Sequence, residues 1–139
     1  MARSVRWVYS PQQGGRPIPE PVRLRLTARL RSHAEARFGG RYTRLDVRFR
    51  SQFCYVDLFV EPDKGGPGGD VPSEGQLEHL TAIPIHLCRL RYFGNEDRMS
   101  FAHFTYGAEQ YVPAVFPNGE WQGLPEDALE ISAMLHVQV

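Results

Sequence analysis

From residue 20 onward the apolar positions recur with a period that changes along the chain, and the changes mark the elements. Val22, Leu26, Leu30, Ala34 and Phe38 repeat every four residues, the spacing of one helical face. Pro19-Glu20-Pro21 stands before them, where proline suits a first turn, and Gly39-Gly40 follows as a stop. The pattern predicts a helix over 20–38. The period then drops to two. In YTRLDVRFRS (42–51), Leu45, Val47 and Phe49 face one way and Arg44, Asp46, Arg48 and Arg50 the other, as in a half-exposed strand. FCYVDLFVEP (53–62) is apolar on both sides and reads as a more central strand. The short break at Ser51-Gln52 makes the two a hairpin.

Residues 63–75 hold five glycines and two prolines and cannot pack a core, so they read as a flexible loop. The loop lacks the Lys-Ser/Thr ending of a phosphate-binding P-loop. QLEHLTA (76–82) suits a single helical turn. IHLCRLRYF (85–93) and RMSFAHFTY (98–106) read as strands joined through Gly94-Asn95-Glu96-Asp97, and YVPAVF (111–116) as a shorter one that Pro113 places at an edge. LPEDALEISAML (124–135) reads as a closing helix, with Pro125 at its first position and Glu126 and Asp127 suited to its dipole. Leu124 is a poor N-cap, so this helix must rely on tertiary packing. RWVYS (6–10) is a short edge strand or docked arm, and 11–21, with four prolines, is a connector. The expected architecture is α+β: one antiparallel sheet of about five strands, with an N-terminal and a C-terminal helix on one face. Residues 1–19 form an arm and connector, and 20–139 a single domain.

The 139 residues, 42% hydrophobic, suffice for one core and argue against global disorder. No apolar run reaches a membrane span and the N-terminus lacks a signal-peptide core, so a cytoplasmic protein without membrane association is expected. Two cysteines agree with a reducing compartment. Net charge is zero, but residues 1–50 carry +9 and residues 51–139 carry −9. Such a division suits a basic surface for nucleic acid, or two halves that attract each other within a chain or between subunits. Fifteen of the sixteen basic residues are arginine, a bias that a GC-rich genome also produces.

The stretch from LCRLRYFGNEDRMSFAHFTY through EQYVPAVFPNGEWQGLPEDAL resembles small conserved bacterial proteins of unknown function. The pattern is a C-R-L-R-Y strand, a G-x-x-D-R turn, an F-A strand, a Y-x-x-S/A-V segment and a G-x-P-E-D/E-A helix start. It is carried here by Cys88 to Tyr92, Gly94, Asp97, Arg98, Phe101, Ala102, Tyr111, Ala114, Val115, Gly123 and Pro125 to Ala128. Met99 and Leu124 depart from it, at positions held by Trp and Thr in the pattern. The resemblance implies a bacterial single-domain protein and carries no activity, cofactor or site residue.

Candidate chemistry gathers at 84–106. If Asn95-Glu96 is a two-residue turn, paired positions sum to 191, so Cys88 faces His103, Leu90 faces Phe101, Tyr92 faces Met99 and His86 faces Thr105. That face is mostly apolar and reads as core, with Cys88, Leu90, Phe101 and His103 beneath the helices. Arg89, Arg91, Arg98 and Ser100 read as facing solvent or a partner. Cys54, His86, Cys88 and His103 are the weak candidates for a metal, without C-x-x-C or H-x-x-x-H spacing, and no metal or other cofactor is expected. A core-facing Cys88 argues against a nucleophile. No hydrolase, zincin or EF-hand motif occurs, so no catalytic residue is named and the reading leans away from an enzyme. The candidate binding residues are Arg23, Arg29, Arg31, Arg37, Arg44, Arg48, Arg50, Arg89 and Arg91. The first expectation is a non-enzymatic module that associates with itself, as a homodimer, or with another protein. The alternative is nucleic-acid binding through the arginine-rich half, with Trp7, Tyr9 and Tyr42 nearby in sequence.

Overall fold

A computed structural model of the chain describes residues 13–60 and 84–136. Its elements run α1 (Glu20–Phe38), β1 (Arg44–Arg50), β2 (Phe53–Phe59), β3 (Pro84–Arg91), β4 (Ser100–Thr105), β5 (Gln110–Ala114) and α2 (Pro125–His136). The strands form one antiparallel sheet in chain order, β1 to β5, and both helices cover the same face. The α+β architecture read from the sequence is therefore observed. The expected segments at 6–10, 63–75 and 76–82 lie outside the described residues.

The helix α1 buries the five residues of its four-residue repeat. It ends where the Gly39 N–H bonds the Glu35 carbonyl and Gly40 takes φ 84°, a left-handed conformation that glycine adopts without strain. The sheet's inner face supplies Leu45, Cys54, Val56, Leu58, Cys88, Leu90 and Phe101, and α2 adds Ala128, Leu129 and Ala133. Pro113 sits on the edge strand β5, as its missing N–H requires.

The connector docks rather than merely linking. Ile18 is 2% exposed. Its N–H donates to the Ser51 carbonyl, and the Arg16 N–H donates to the Tyr92 carbonyl. Backbone 13–19 thus closes over the end of the sheet where β1 turns into β2.

The pairing of β3 with β4 follows the sum of 191: Cys88 opposes His103 and Leu90 opposes Phe101. Cys88, Leu90 and Phe101 are buried on the helix-covered side, and His103 lies on that side half-buried. Four details differ from the expectation. The ladder stops at Arg91–Ser100, and Met99 pairs instead with Gly123 through two backbone bonds of 3.0 Å, so it does not face Tyr92. The connection is a longer loop that Asn95 closes with its side chain and carbonyl. Arg91 and Ser100 are buried, not solvent-facing, because the connector covers that corner and the Gly14 carbonyl accepts from Arg91 at 2.6 Å. Finally, the β2–β3 register shifts between Val56 and Asp57. Val56 pairs with Cys88 but Asp57 pairs with His86, leaving Leu87 as the extra residue. A bulge inverts the alternation beyond it. His86 therefore points to the open side of the sheet and not, as alternation alone implied, into the core beside Cys88.

Candidate functional site

The nine arginines named from the sequence separate onto the two sides of the molecule. Arg23, Arg29, Arg31 and Arg37 belong to α1, on the helical side. Arg44, Arg48, Arg50, Arg89 and Arg91 alternate out of the sheet on the opposite side. They do not form the continuous basic surface that sequence proximity suggested, because the sheet lies between them.

On the helical side most of this charge is neutralised. Arg29 donates from Nε and Nη2 to the two carboxylate oxygens of Glu126, each at 2.8 Å, and lies 2.8 Å from Asp97. Arg25 pairs with Glu96 at 3.0 Å and Arg37 with Glu130 at 2.6 Å. Arg23 donates to the Ile18 carbonyl and lies over the Phe49 ring. The acids all come from the negative half of the chain. The +9/−9 division is thus partly satisfied inside one molecule.

The open sheet face is built differently. Its residues stand in rows that cross the strands, about 4.8 Å apart along the hydrogen-bonding direction. One row runs Arg48, Tyr55, Arg89, Ala102, Pro113. A second runs Arg50, Phe53, Arg91, Ser100. A third runs Asp46, Asp57, His86, and Phe104 with Tyr111 continues that side of the sheet. Arginines and rings interleave. Arg89 lies 4.7 Å from the Phe53 ring and 5.4 Å from the Tyr111 ring, Arg48 5.6 Å from Tyr55, and Arg44 4.1 Å from Phe59. Phe53, Tyr55, Phe104 and Tyr111 are half-buried, so each keeps some surface in contact with solvent. Among the described residues, Asp46 and Asp57 are the carboxylates of the strands on this face, against four arginines that keep exposed surface, Arg44, Arg48, Arg50 and Arg89; Arg91 is buried under the connector.

Arg48, Arg50, Tyr55, His86, Phe104 and Tyr111 surround an open depression of about 540 Å³. Asp57, 4% exposed, bonds two of the lining residues. One carboxylate oxygen accepts from Arg48 Nη2 at 2.8 Å, and the other meets His86 Nδ1 at 2.9 Å. A carboxylate held by an arginine only accepts, so the proton of a neutral His86 sits on Nδ1, and no hydrogen bond reaches Nε2 among the described residues. The ring is fixed on two further sides: Phe104 meets it edge-on at 4.9 Å, and Tyr106 stacks at 6.4 Å with 15° between the planes. The His86 backbone N–H also donates to the Tyr106 hydroxyl at 2.8 Å. Burial, aided by the negative charge of Asp57, pushes the Tyr111 hydroxyl up to about 12, so it keeps its proton at neutral pH.

The metal candidates do not converge. Cys54, Cys88 and His103 lie on the inner side and His86 on the outer, and no group of three or more His, Cys, Asp or Glu among the described residues is arranged to hold an ion. Both cysteines are free and buried. Burial pushes the Cys88 thiol up to about 12, partly offset by the neighbouring Ser132 hydroxyl, and raises Cys54 well above the usual thiol range.

Sequence reasoning named Arg48, Arg50 and Arg89 and missed Asp57, Tyr55, Phe53, Phe104 and Tyr111. The alternation of 53–62 held a signal: Tyr55 and Asp57 share a side with Phe53, and a carboxylate inside an apolar strand needs a partner. Among the described residues, no helix is long and apolar enough to cross a membrane. No protein-family profile, curated protein or solved structure matches the chain.

Proposed function

We propose that the protein binds single-stranded nucleic acid across the open face of its sheet. The observation that carries this reading is the interleaving of Phe53, Tyr55, Phe104 and Tyr111 with Arg44, Arg48, Arg50 and Arg89 on a solvent-facing surface. Half-exposed rings offer planes for bases to stack on, and guanidinium groups between them meet the phosphates. A duplex hides its base faces, so such a surface favours unpaired strands. Overall neutrality does not oppose this, because Glu96, Asp97, Glu126 and Glu130 are paired on the helical side. The same ion pairs reduce the charge complementarity that made self-association or a protein partner the first expectation.

The test is fluorescence anisotropy of labelled single-stranded RNA and DNA, about 15–20 nucleotides long, in 50 mM salt. Binding is expected to weaken steeply with salt, because neutralised phosphates release counterions. Arg50→Ala and Arg89→Ala should weaken it for all sequences alike. Tyr55→Ala should cost about 1–3 kcal/mol, roughly 5- to 150-fold in affinity, if one base stacks there. Arg31→Ala, exposed on α1, should change nothing. Absence of binding to both nucleic acids in 50 mM salt ends this reading. A dimer that light scattering shows to persist in high salt would restore association to first place.

A further inference from the structure

We infer that the depression around His86 cleaves the single-stranded RNA that the sheet face binds, an inference that rests on the binding reading above. The geometry is that of a positioned base. Asp57 holds Nδ1 at 2.9 Å, Phe104 and Tyr106 fix the ring plane, and no described residue bonds Nε2. An imidazole so held presents its lone pair in one direction, and His86 lines the depression. The β2–β3 bulge brings this about, and bulges re-aim side chains in this way.

The surroundings select the substrate class. Arg48 and Arg50 line the same depression and suit a phosphodiester anion, whose charge grows as the phosphorus becomes five-coordinate. Tyr55 and Tyr111 offer ring faces for the flanking bases. RNA carries its own nucleophile beside each phosphate, the 2′-hydroxyl, so the protein must supply only a base, a cation and a proton donor.

The step balances as follows. His86 Nε2 takes the 2′-hydroxyl proton as O2′ attacks the adjacent phosphorus. The new O2′–P bond closes a 2′,3′-cyclic phosphate, and the P–O5′ bond breaks. The leaving 5′ oxygen takes a proton from the Tyr111 hydroxyl. Solvent then carries the proton on His86 to the tyrosinate, which restores both groups, and no water is consumed. Arg48 is held by Asp57 through Nη2 and is 52% exposed, so its remaining N–H groups can face the phosphate. Asp57 touches no reacting atom and acts as a positioning residue.

The experiment incubates the full chain with end-labelled single-stranded RNA in EDTA, beside DNA of the same sequence and RNA methylated at every 2′ oxygen. Wild-type protein is expected to bind all three and to cut only the first, leaving 2′,3′-cyclic phosphate and 5′-hydroxyl ends. His86→Gln, which keeps a donor for Asp57, should lower the cleavage rate at least about 100-fold with RNA affinity unchanged. Tyr111→Phe should lower kcat by a smaller factor. Asp57→Asn donates to Nδ1 and so reverses the tautomer. It should lower kcat with KM unchanged, its fold checked by circular dichroism. RNA bound but left intact by stoichiometric wild-type protein overturns the cleavage while leaving the binding reading in place. Cleavage that persists in His86→Gln, or ends other than cyclic phosphate, overturns it equally. Absence of binding to all three overturns both readings together.

Discussion

The ion pair between Arg29 and Glu126 joins α1 to the start of α2, and its contribution can be worked from its geometry. Two charge-assisted bonds of 2.8 Å connect the groups, and the side chains are 23% and 24% exposed. An exposed pair contributes about 0.2–1 kcal/mol, whereas breaking a fully buried one costs about 3–5 kcal/mol. With most of the surface withdrawn from water but not all, Arg29→Met should destabilise by about 2 kcal/mol. For a chain of this size that is a fall in Tm of about 8 °C. In a double-mutant cycle with Glu126→Gln, the coupling should be about 1–2 kcal/mol at pH 7. Burial alone would raise the Glu126 carboxyl. Hydrogen bonds from Arg29 and from its own backbone N–H, with the attraction of Arg29 and His33, outweigh burial and hold it below the usual glutamate range. A carboxyl that is lower in the folded state contributes its full stabilisation above the unfolded value, about 4.3, and loses it as the pH falls through the folded one. Urea unfolding of the four proteins at pH 7 and pH 2.5 measures both quantities. A coupling below about 0.3 kcal/mol at pH 7, or one that survives unchanged at pH 2.5, would refute the assignment.

Two further outcomes follow from the core. Cys54 and Cys88, fully buried with raised thiol pKa values, should resist a thiol reagent at pH 8 until the protein unfolds, and Cys88→Ala should cost about 1–2 kcal/mol; rapid titration of both thiols in the native state would contradict this placement. Gly123→Ala should cost about 1–3 kcal/mol in denaturant unfolding, because a Cβ there would lie 2.7 Å from the Phe116 ring while the backbone is tied to Met99; an unchanged midpoint would show that the ring gives way.

What the sequence determined by itself was the set of elements among the described residues and most of their facing. The four-residue repeat from Val22 to Phe38 and the two-residue alternation from Leu45 to Phe49 are local consequences of backbone geometry, and the helix lies at 20–38 as read. The sum of 191 placed Cys88 opposite His103 although the two-residue turn it assumed is a longer loop, and alternation kept Cys88 on the buried face. Tertiary structure alone decided the rest. The same alternation fails at Leu87, where one extra residue turns His86 from the core side to Asp57, and a bulge leaves no mark in the period of the residues before it. The arginines of α1 and of the strands, close in sequence, part because a sheet separates its two faces. Arg29 finds its partner 97 residues away because α1 and α2 pack on the same side. The connector buries Ile18 and Arg91 through backbone contacts that no side-chain pattern announces. Each of these is a relation between residues distant in sequence, set by which surfaces meet when the core forms, and short-range periodicity carries no record of it.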